Sequence, residues 1–264
     1  MHQPSTDNYF AEILASAAQL ADIARTHDPD LPVPTCPDWT LRQLAAHVGR
    51  VHRWAAEIVS TRATERIPFG SVPDGSYPAE PSARAAWLVA GADRVVSAVS
   101  AAGSDPVWAF SEIAPATFWA RRQAHETMMH RADAEFAVGR NVVLDAGLAA
   151  DGIDEWLTSV TDPRYRNRGE GIQALPASAA MHLRATGVPG AGAVTEWLIR
   201  STEGTLSLHR GPGVADVGEA DVSVSGPADR LLLVLLRRLP AGEPSLAVSG
   251  DAVLLTGWLA GTPF

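Results

Sequence analysis

The chain has 264 residues, of which 46% are hydrophobic and 19% charged, which is enough for one large globular domain or two modest ones. Its net charge of −9 argues against a nucleic-acid partner, because phosphate binding needs a basic surface. No stretch reaches the roughly 18 to 20 apolar residues of a membrane span, and the N-terminus lacks the pattern of a secretion signal.

The types of residue present limit the chemistry further. Cys36 is the single cysteine, which excludes an internal disulfide and predicts a reducing, cytoplasmic location. All 21 lysine-or-arginine positions are arginine. The chain therefore has no lysine amine for a Schiff base, for a pyridoxal phosphate anchor or for a phosphate-binding P-loop.

The chain begins with two predicted amphipathic helices. Apolar residues recur every three or four positions over 7–25, and a loop rich in proline follows them. Thr40 and Gln43 have the spacing of a capping box, which predicts that a second helix begins there and continues to about Ser60.

Two further helices complete the first half. Residues 68–81 are rich in proline and glycine and are predicted to form a loop. Ser82 is the expected N-cap of the third helix, and the fourth helix is expected over 116–138, ended by Gly139. Four long amphipathic helices joined by loops predict a helical bundle over 1–145.

The pattern changes in the second half, 146–264. One more helix is expected around 148–160, and short strand-like runs separated by turn residues follow it. Two apolar segments near the C-terminus are expected to be helices, the first opened by a proline. We therefore predict a small α+β domain with a mostly antiparallel sheet. The strand-like runs are AMHLRAT, AVTEWLIRS, GTLSLHR and ADVSVSG, and the helical segments are PADRLLLVLLRRL and DAVLLTGWLAG.

The segment HETMMHRADAE, residues 125–135, carries three side chains that can bind a metal. His125 and His130 are five residues apart, about 140° around a helix, so they cannot readily share one ion. Glu126 and His130 are four residues apart and face the same way. A polar face on a bundle helix is costly to bury without partners, so this face meets either solvent or a site.

His47 on the second helix is the best candidate for a third ligand, because it lies beside Leu44 at the edge of the apolar face. Together with Glu126 and His130 it forms a three-ligand set that suits zinc with an open position. Ordinary alternatives stay open: a core histidine, and a solvated helical pair. Cys36 is expected to be a small buried residue rather than a nucleophile, since no base is evident near it.

Two motifs resemble those of a known family. VPTCPDWTLRQLAAHVGRVHRWA, residues 33–55, and FWARRQAHETMMHRADAE, residues 118–135, are similar to the two signatures of the actinobacterial mycothiol-dependent maleylpyruvate isomerase family. The C-terminal half resembles the α+β domain that follows them, so the resemblance covers essentially the whole chain. It implies an N-terminal DinB-like four-helix bundle followed by a small sterol-carrier-like α+β domain.

The resemblance also implies a site. Its motif positions fall on His47, Glu126 and His130 as ligands of zinc or another divalent metal, the same three residues that helical spacing selects. In the family an arginine of the C-terminal domain faces the substrate. The corresponding position in this sequence is Arg238, with the neighbouring Arg237 as the alternative. Mycothiol, a small thiol, is the implied cosubstrate, and a small electrophilic molecule is the implied substrate.

Several functions are compatible with these features. The first-ranked function is a mycothiol S-transferase, in which a zinc-activated thiolate adds to the electrophile and stays attached. The alternative is a mycothiol-dependent cis–trans isomerase such as maleylpyruvate isomerase, in which the thiol is regenerated. A non-catalytic module that binds a small molecule belongs to another class. A zinc hydrolase is disfavoured because Glu126 would already be a ligand of the metal and no separate general base is evident.

Overall fold

The structure is a computed structural model that describes residues 3–110, 112–166, 175–189, 193–214 and 219–262. Its internal contacts divide the chain into two compact units. The N-terminal unit is Ser5–Val143, and the C-terminal unit begins at Leu144. The sequence analysis placed the boundary after residue 145.

The N-terminal unit is built from four long helices, as the sequence predicts. A 3₁₀ turn over Phe69–Ser71 interrupts the long loop before the third helix. A two-stranded antiparallel hairpin, which the sequence analysis did not predict, precedes the fourth helix. The helices are α1 (Thr6–Thr26), α2 (Leu41–Ser60), α3 (Pro81–Ala102) and α4 (Thr117–Ala137), and the hairpin strands are β1 (Pro106–Ala109) and β2 (Glu112–Pro115).

Local capping explains where two of these helices begin. The Thr40 side chain accepts a hydrogen bond from the Gln43 backbone, and the Gln43 side chain accepts one from the Thr40 backbone at 2.8 Å, so the predicted capping box is confirmed. The prediction that Ser82 caps α3 is wrong. That helix already begins at Pro81, with Glu80 as its N-cap, because proline fits the first helical position, where no backbone donor is needed.

Helix α3 is long and apolar enough, by length and composition, to cross a membrane. No such segment is predicted from the sequence. In the structure α3 packs against α1 and α2, and its apolar side chains Leu88, Ala92, Val95 and Val99 are buried there. Burial in the bundle therefore accounts for this face of the helix, whereas Val89 on another face is exposed.

The C-terminal unit contains a five-stranded sheet with the strand order β5-β4-β3-β6-β7. Three of its strand pairs are antiparallel, and β3 pairs with β6 in parallel, so the prediction of a mostly antiparallel sheet is confirmed. The strands are β3 (Ala180–Val188), β4 (Ala193–Thr202), β5 (Thr205–Arg210), β6 (Val222–Pro227) and β7 (Ala247–Gly250).

Helices of the C-terminal unit cover the sheet. The longest contacts β3 and β5, and the apolar helix after β6 contacts β3 and β6, so Met181 and Leu183 of β3 are buried. That apolar helix was expected to include the two arginines that follow it, but Arg237 has a φ of +60°, which is incompatible with a continuing helix. The helices are α5 (Ala146–Thr161), α6 (Pro163–Arg166), α7 (Ala228–Leu235) and α8 (Ala252–Gly261). A helical unit followed by an α+β unit confirms the predicted fold class.

Candidate metal centre

The three predicted ligands lie together where α2 faces α4. Glu126 Oε1 lies 3.2 Å from His47 Nε2 and 3.3 Å from His130 Nε2. The imidazole centroids are 5.0 Å apart, with their planes at 79°. One ligand atom from each residue falls within 4.8 Å of the other two, close enough for all three to bind a single ion.

The chemistry of these donors fits a divalent transition metal. Two imidazole nitrogens and one carboxylate oxygen make a set that zinc accepts, and three protein ligands leave a position for a substrate atom. The side chains of His47, Glu126 and His130 are 31%, 28% and 12% exposed, so a small molecule can reach them from solvent.

The charges around Glu126 keep it ionised. Burial pushes the pKa of this carboxyl upward, but hydrogen bonds from His130 and His47 outweigh that effect and hold the pKa well below its ordinary value. Arg122, one turn earlier on α4, lies 3.2 Å from Oε2 and adds a positive charge. Arg122 therefore holds one carboxylate oxygen, while the other faces the two imidazoles.

His130 is held on its second nitrogen as well. Its Nδ1 lies 2.9 Å from Oδ2 of Asp133, which is fully buried. Burial lowers the pKa of His130, but the hydrogen bonds to Asp133, Cys36 and Glu126 outweigh it and raise the pKa well above its ordinary value. A carboxylate on the outer nitrogen is the usual support of a metal-binding histidine, because it fixes both the tautomer and the ring orientation.

The loop before α2 completes this support. Thr35 Oγ1 donates to Asp133 Oδ1 at 2.6 Å, and the Cys36 thiol donates to Asp133 Oδ2 at 3.2 Å. The expectation that Cys36 has no basic neighbour is therefore wrong. This contact cannot be read from the sequence, because Cys36 and Asp133 are 97 residues apart in the chain.

Cys36, His130 and Asp133 form a second group whose ligand atoms lie within 4.8 Å of one another. Asp133 already accepts hydrogen bonds from three groups, including the Thr35 hydroxyl. Its oxygens are thus committed to donors within the protein, whereas the Glu126 side chain is 28% exposed. We therefore interpret this second group as the hydrogen-bonded support of the first.

The neighbouring histidines point elsewhere, as the helical angles predict. His52 is fully buried, and its Nε2 lies 2.8 Å from the Thr127 hydroxyl. Burial and the charge of Arg53 lower the pKa of His52 to about 3, so it is neutral at physiological pH. His125 packs edge-on against Tyr9, with ring centroids 6.0 Å apart.

Arg238, the predicted substrate-facing arginine, follows α7 in the C-terminal unit. It is partly buried, and its guanidinium donates to the Leu236 carbonyl at 2.9 Å. Arg237 is exposed, and burial of part of its side chain together with the adjacent Arg238 charge lowers its pKa. The role assigned to Arg238 stays a prediction.

Comparison with known proteins gives an independent view of the fold. Residues 10–135 match the family model of the mycothiol maleylpyruvate isomerase N-terminal domain. The crystal structure of a histidine-to-alanine mutant of the mycothiol-dependent maleylpyruvate isomerase is similar over 95% of this chain and 97% of its own, with 15% identity and a TM-score of 0.58. A second crystal structure of the mycothiol-dependent maleylpyruvate isomerase covers 88% of this chain and 90% of its own, with 15% identity and a TM-score of 0.51. None of the curated proteins matches the chain.

Proposed function

Because the N-terminal half of this chain belongs to the mycothiol maleylpyruvate isomerase N-terminal domain family, we propose that the protein is a metal-dependent, mycothiol-using isomerase. Its substrate would be a small electrophile with a cis double bond conjugated to a carbonyl group. The observation that carries the proposal is the convergence of His47, Glu126 and His130 within 4.8 Å, inside the domain that matches the family.

This proposal reverses the order of the functions that the sequence analysis considered. The S-transferase stood first there, whereas the family description and the similar structures both name an isomerase. The two reactions share every step up to the thiol adduct, so the same site serves both. Cytoplasmic location stays a prediction that agrees with the use of a single cysteine.

The protein side chains prepare the site. His47 and His130 would each offer Nε2 to the divalent metal, and Glu126 would offer Oε1. Asp133 holds a proton of His130 on Nδ1, so Nε2 is the nitrogen that would give up its proton and bind the metal. When bound, the metal supplies a positive charge that favours the thiolate form of a thiol beside it.

The reaction itself is an addition followed by an elimination. The thiol gives its proton to solvent, and the sulfur adds to one carbon of the cis double bond while that bond's electrons move to the conjugated carbonyl oxygen. The resulting enolate has a single bond that can rotate. Its collapse restores the double bond as trans and expels the thiolate, which regains a proton. We propose that Arg238 pairs with a substrate carboxylate or with the enolate oxygen.

Incubation of the zinc-loaded protein with mycothiol and maleylpyruvate tests the proposal. We expect fumarylpyruvate to appear in step with the loss of maleylpyruvate, at a constant concentration of free thiol and only when mycothiol is present. His47→Ala should abolish the reaction, whereas His209→Ala, at an exposed position on β5, should not.

Other outcomes would identify the alternatives. Loss of one thiol per electrophile would show the S-transferase. Metal-free protein that binds apolar ligands without thiol-dependent turnover would show the binding module and would contradict the proposal.

A further inference from the structure

A groove of about 420 Å³ opens beside His47 within the N-terminal unit. Its floor is one stripe of α2, formed by Gln43, Ala46, His47 and Arg50. Their spacing of three, four and seven residues puts them on the same face of the helix. The groove therefore connects one of the candidate metal ligands with an arginine one turn further along the helix.

Aromatic rings form the walls of this groove: Trp39, Phe69 and Tyr77. The Trp39 ring packs against the His47 ring, with centroids 4.8 Å apart and planes tilted by 55°, and Tyr77 meets Trp87 edge-on at 5.4 Å. These contacts position two of the three rings before any ligand arrives. Flat apolar walls favour a ligand with a planar body.

Two arginines line the groove, and they differ in whether a carboxylate pairs with them. Arg42 lies 3.2 Å from Asp30, so a carboxylate already offsets its charge. Arg50 donates from Nε to the Gly75 carbonyl at 3.1 Å, and within the described parts of the chain no carboxylate pairs with it. This hydrogen bond uses Nε, so the two Nη groups can donate to a ligand.

We propose that the groove binds the carboxylate of a planar, conjugated substrate and that Arg50 recognises that carboxylate. The inference rests on the proposed function and deepens it, because it says which electrophiles the site accepts. An arginine fork matches a carboxylate with two parallel hydrogen bonds. His47 and Arg50 are about 4.5 Å apart along the helix axis, so one small molecule can reach both.

Binding of cinnamate and cinnamamide, measured by titration calorimetry without thiol, tests the inference. The two probes share a planar conjugated body and differ in charge. We expect the wild-type protein to bind cinnamate at least tenfold more tightly than cinnamamide, and Arg50→Gln to remove that preference while cinnamamide affinity stays within twofold. Arg25→Gln, at an exposed α1 residue, should behave as wild type.

Arg50→Lys separates recognition of charge from support of the loop. It keeps the cation but loses the guanidinium fork and the Nε hydrogen bond to Gly75, so we expect it to retain part of the preference for cinnamate through its charge. Loss of the preference in both Arg50 variants, a parallel loss of both probes in Arg50→Gln, or wild-type protein that does not prefer cinnamate would overturn the inference.

The inference and the proposed function fail in different ways. If the proposed function is wrong, thiol-dependent turnover will be absent while the preference for cinnamate and its dependence on Arg50 persist. If only the inference is wrong, isomerisation will proceed in Arg50→Gln with an unchanged KM for the anionic substrate.

Discussion

The Asp133 carboxylate lies 2.9 Å from Nδ1 of His130, and the opposite nitrogen of the same ring lies 3.3 Å from Glu126 Oε1. The imidazole is thus held between a buried carboxylate and an accessible one. The buried carboxylate also receives the hydroxyl of Thr35 and the thiol of Cys36. The geometry of this ring therefore depends on the loop before α2 as well as on α4.

Asp133→Asn should lower the affinity for zinc by about 10- to 100-fold, the usual effect of losing an outer carboxylate from a metal-binding histidine. The amide keeps the shape of the side chain but not its charge, so the ring loses its preference for the tautomer that frees Nε2. Competition with a zinc chelator measures the change. Asp22→Asn, at an exposed position of α1, is the control, and an unchanged affinity in folded Asp133→Asn would contradict the supporting role.

The two groups of possible ligands make opposite predictions for the metal content. If His47, Glu126 and His130 hold the ion, His47→Ala should contain far less than one zinc per chain, and Cys36→Ser should retain it. If Cys36, His130 and Asp133 held it, Cys36→Ser would be depleted and His47→Ala would not. Elemental analysis of the purified variants distinguishes these results. Retention of zinc in His47→Ala would remove the basis of the proposed function.

Arg238→Ala should lower kcat/KM for an anionic electrophile by about 100-fold or more, in the range observed when a donor to a developing oxyanion is removed. Zinc content should not change, because the residue lies outside the ligand set. Arg237→Ala is the matched control, and steady-state kinetics with mycothiol in excess measure both variants. A large effect in Arg237→Ala and a small one in Arg238→Ala would move the role to the neighbouring residue.

His52 should make the folded protein less stable in acid. The pKa of His52 is about 3 in the folded state, against an ordinary value of 6.5. Between these two pH values the unfolded chain therefore binds a proton at His52 that the folded chain does not bind. The free energy of unfolding should therefore fall as pH falls from 6.5 towards 3, by about 2 kcal/mol at pH 5 for this group. The physical reason is that protonation would place a second N–H in a buried position beside the charge of Arg53.

Urea unfolding at pH 8 and pH 5 in the presence of EDTA measures this effect. Comparison with His52→Gln isolates the contribution of the one residue, since other titrating groups are common to both proteins, and EDTA removes competition between protons and metal. His209→Ala should keep the wild-type dependence. Equal losses of stability in wild type and His52→Gln would show that His52 is not the group responsible.

Sequence alone predicted those parts of the site that depend on the geometry of single helices. The spacing of Glu126 and His130 fixes their common face, and the Thr40 capping box fixes where α2 begins, so these relations are local. The contact of Cys36 with Asp133 depends on how a loop packs against a distant helix, and no periodic pattern encodes it. The strand Ala247–Gly250 was missed because its four residues are all exposed and show no apolar alternation.

Gly49 should be intolerant of a methyl group, because α2 and α3 approach each other closely there. A Cβ at this position would lie 1.9 Å from the nearest ring atom of Trp87. That ring cannot easily move, since its Nε1 donates to the Asp74 carbonyl at 3.0 Å and the Arg53 guanidinium lies 4.0 Å from its centroid. Gly49→Ala should therefore destabilise the N-terminal unit by about 1 to 3 kcal/mol in urea unfolding.

Gly70→Ala, which has no atom within 4 Å of its added Cβ, should change stability by less than about 0.5 kcal/mol. Equal stability of the two variants would mean that the helices are not packed this closely beside the candidate metal ligand His47.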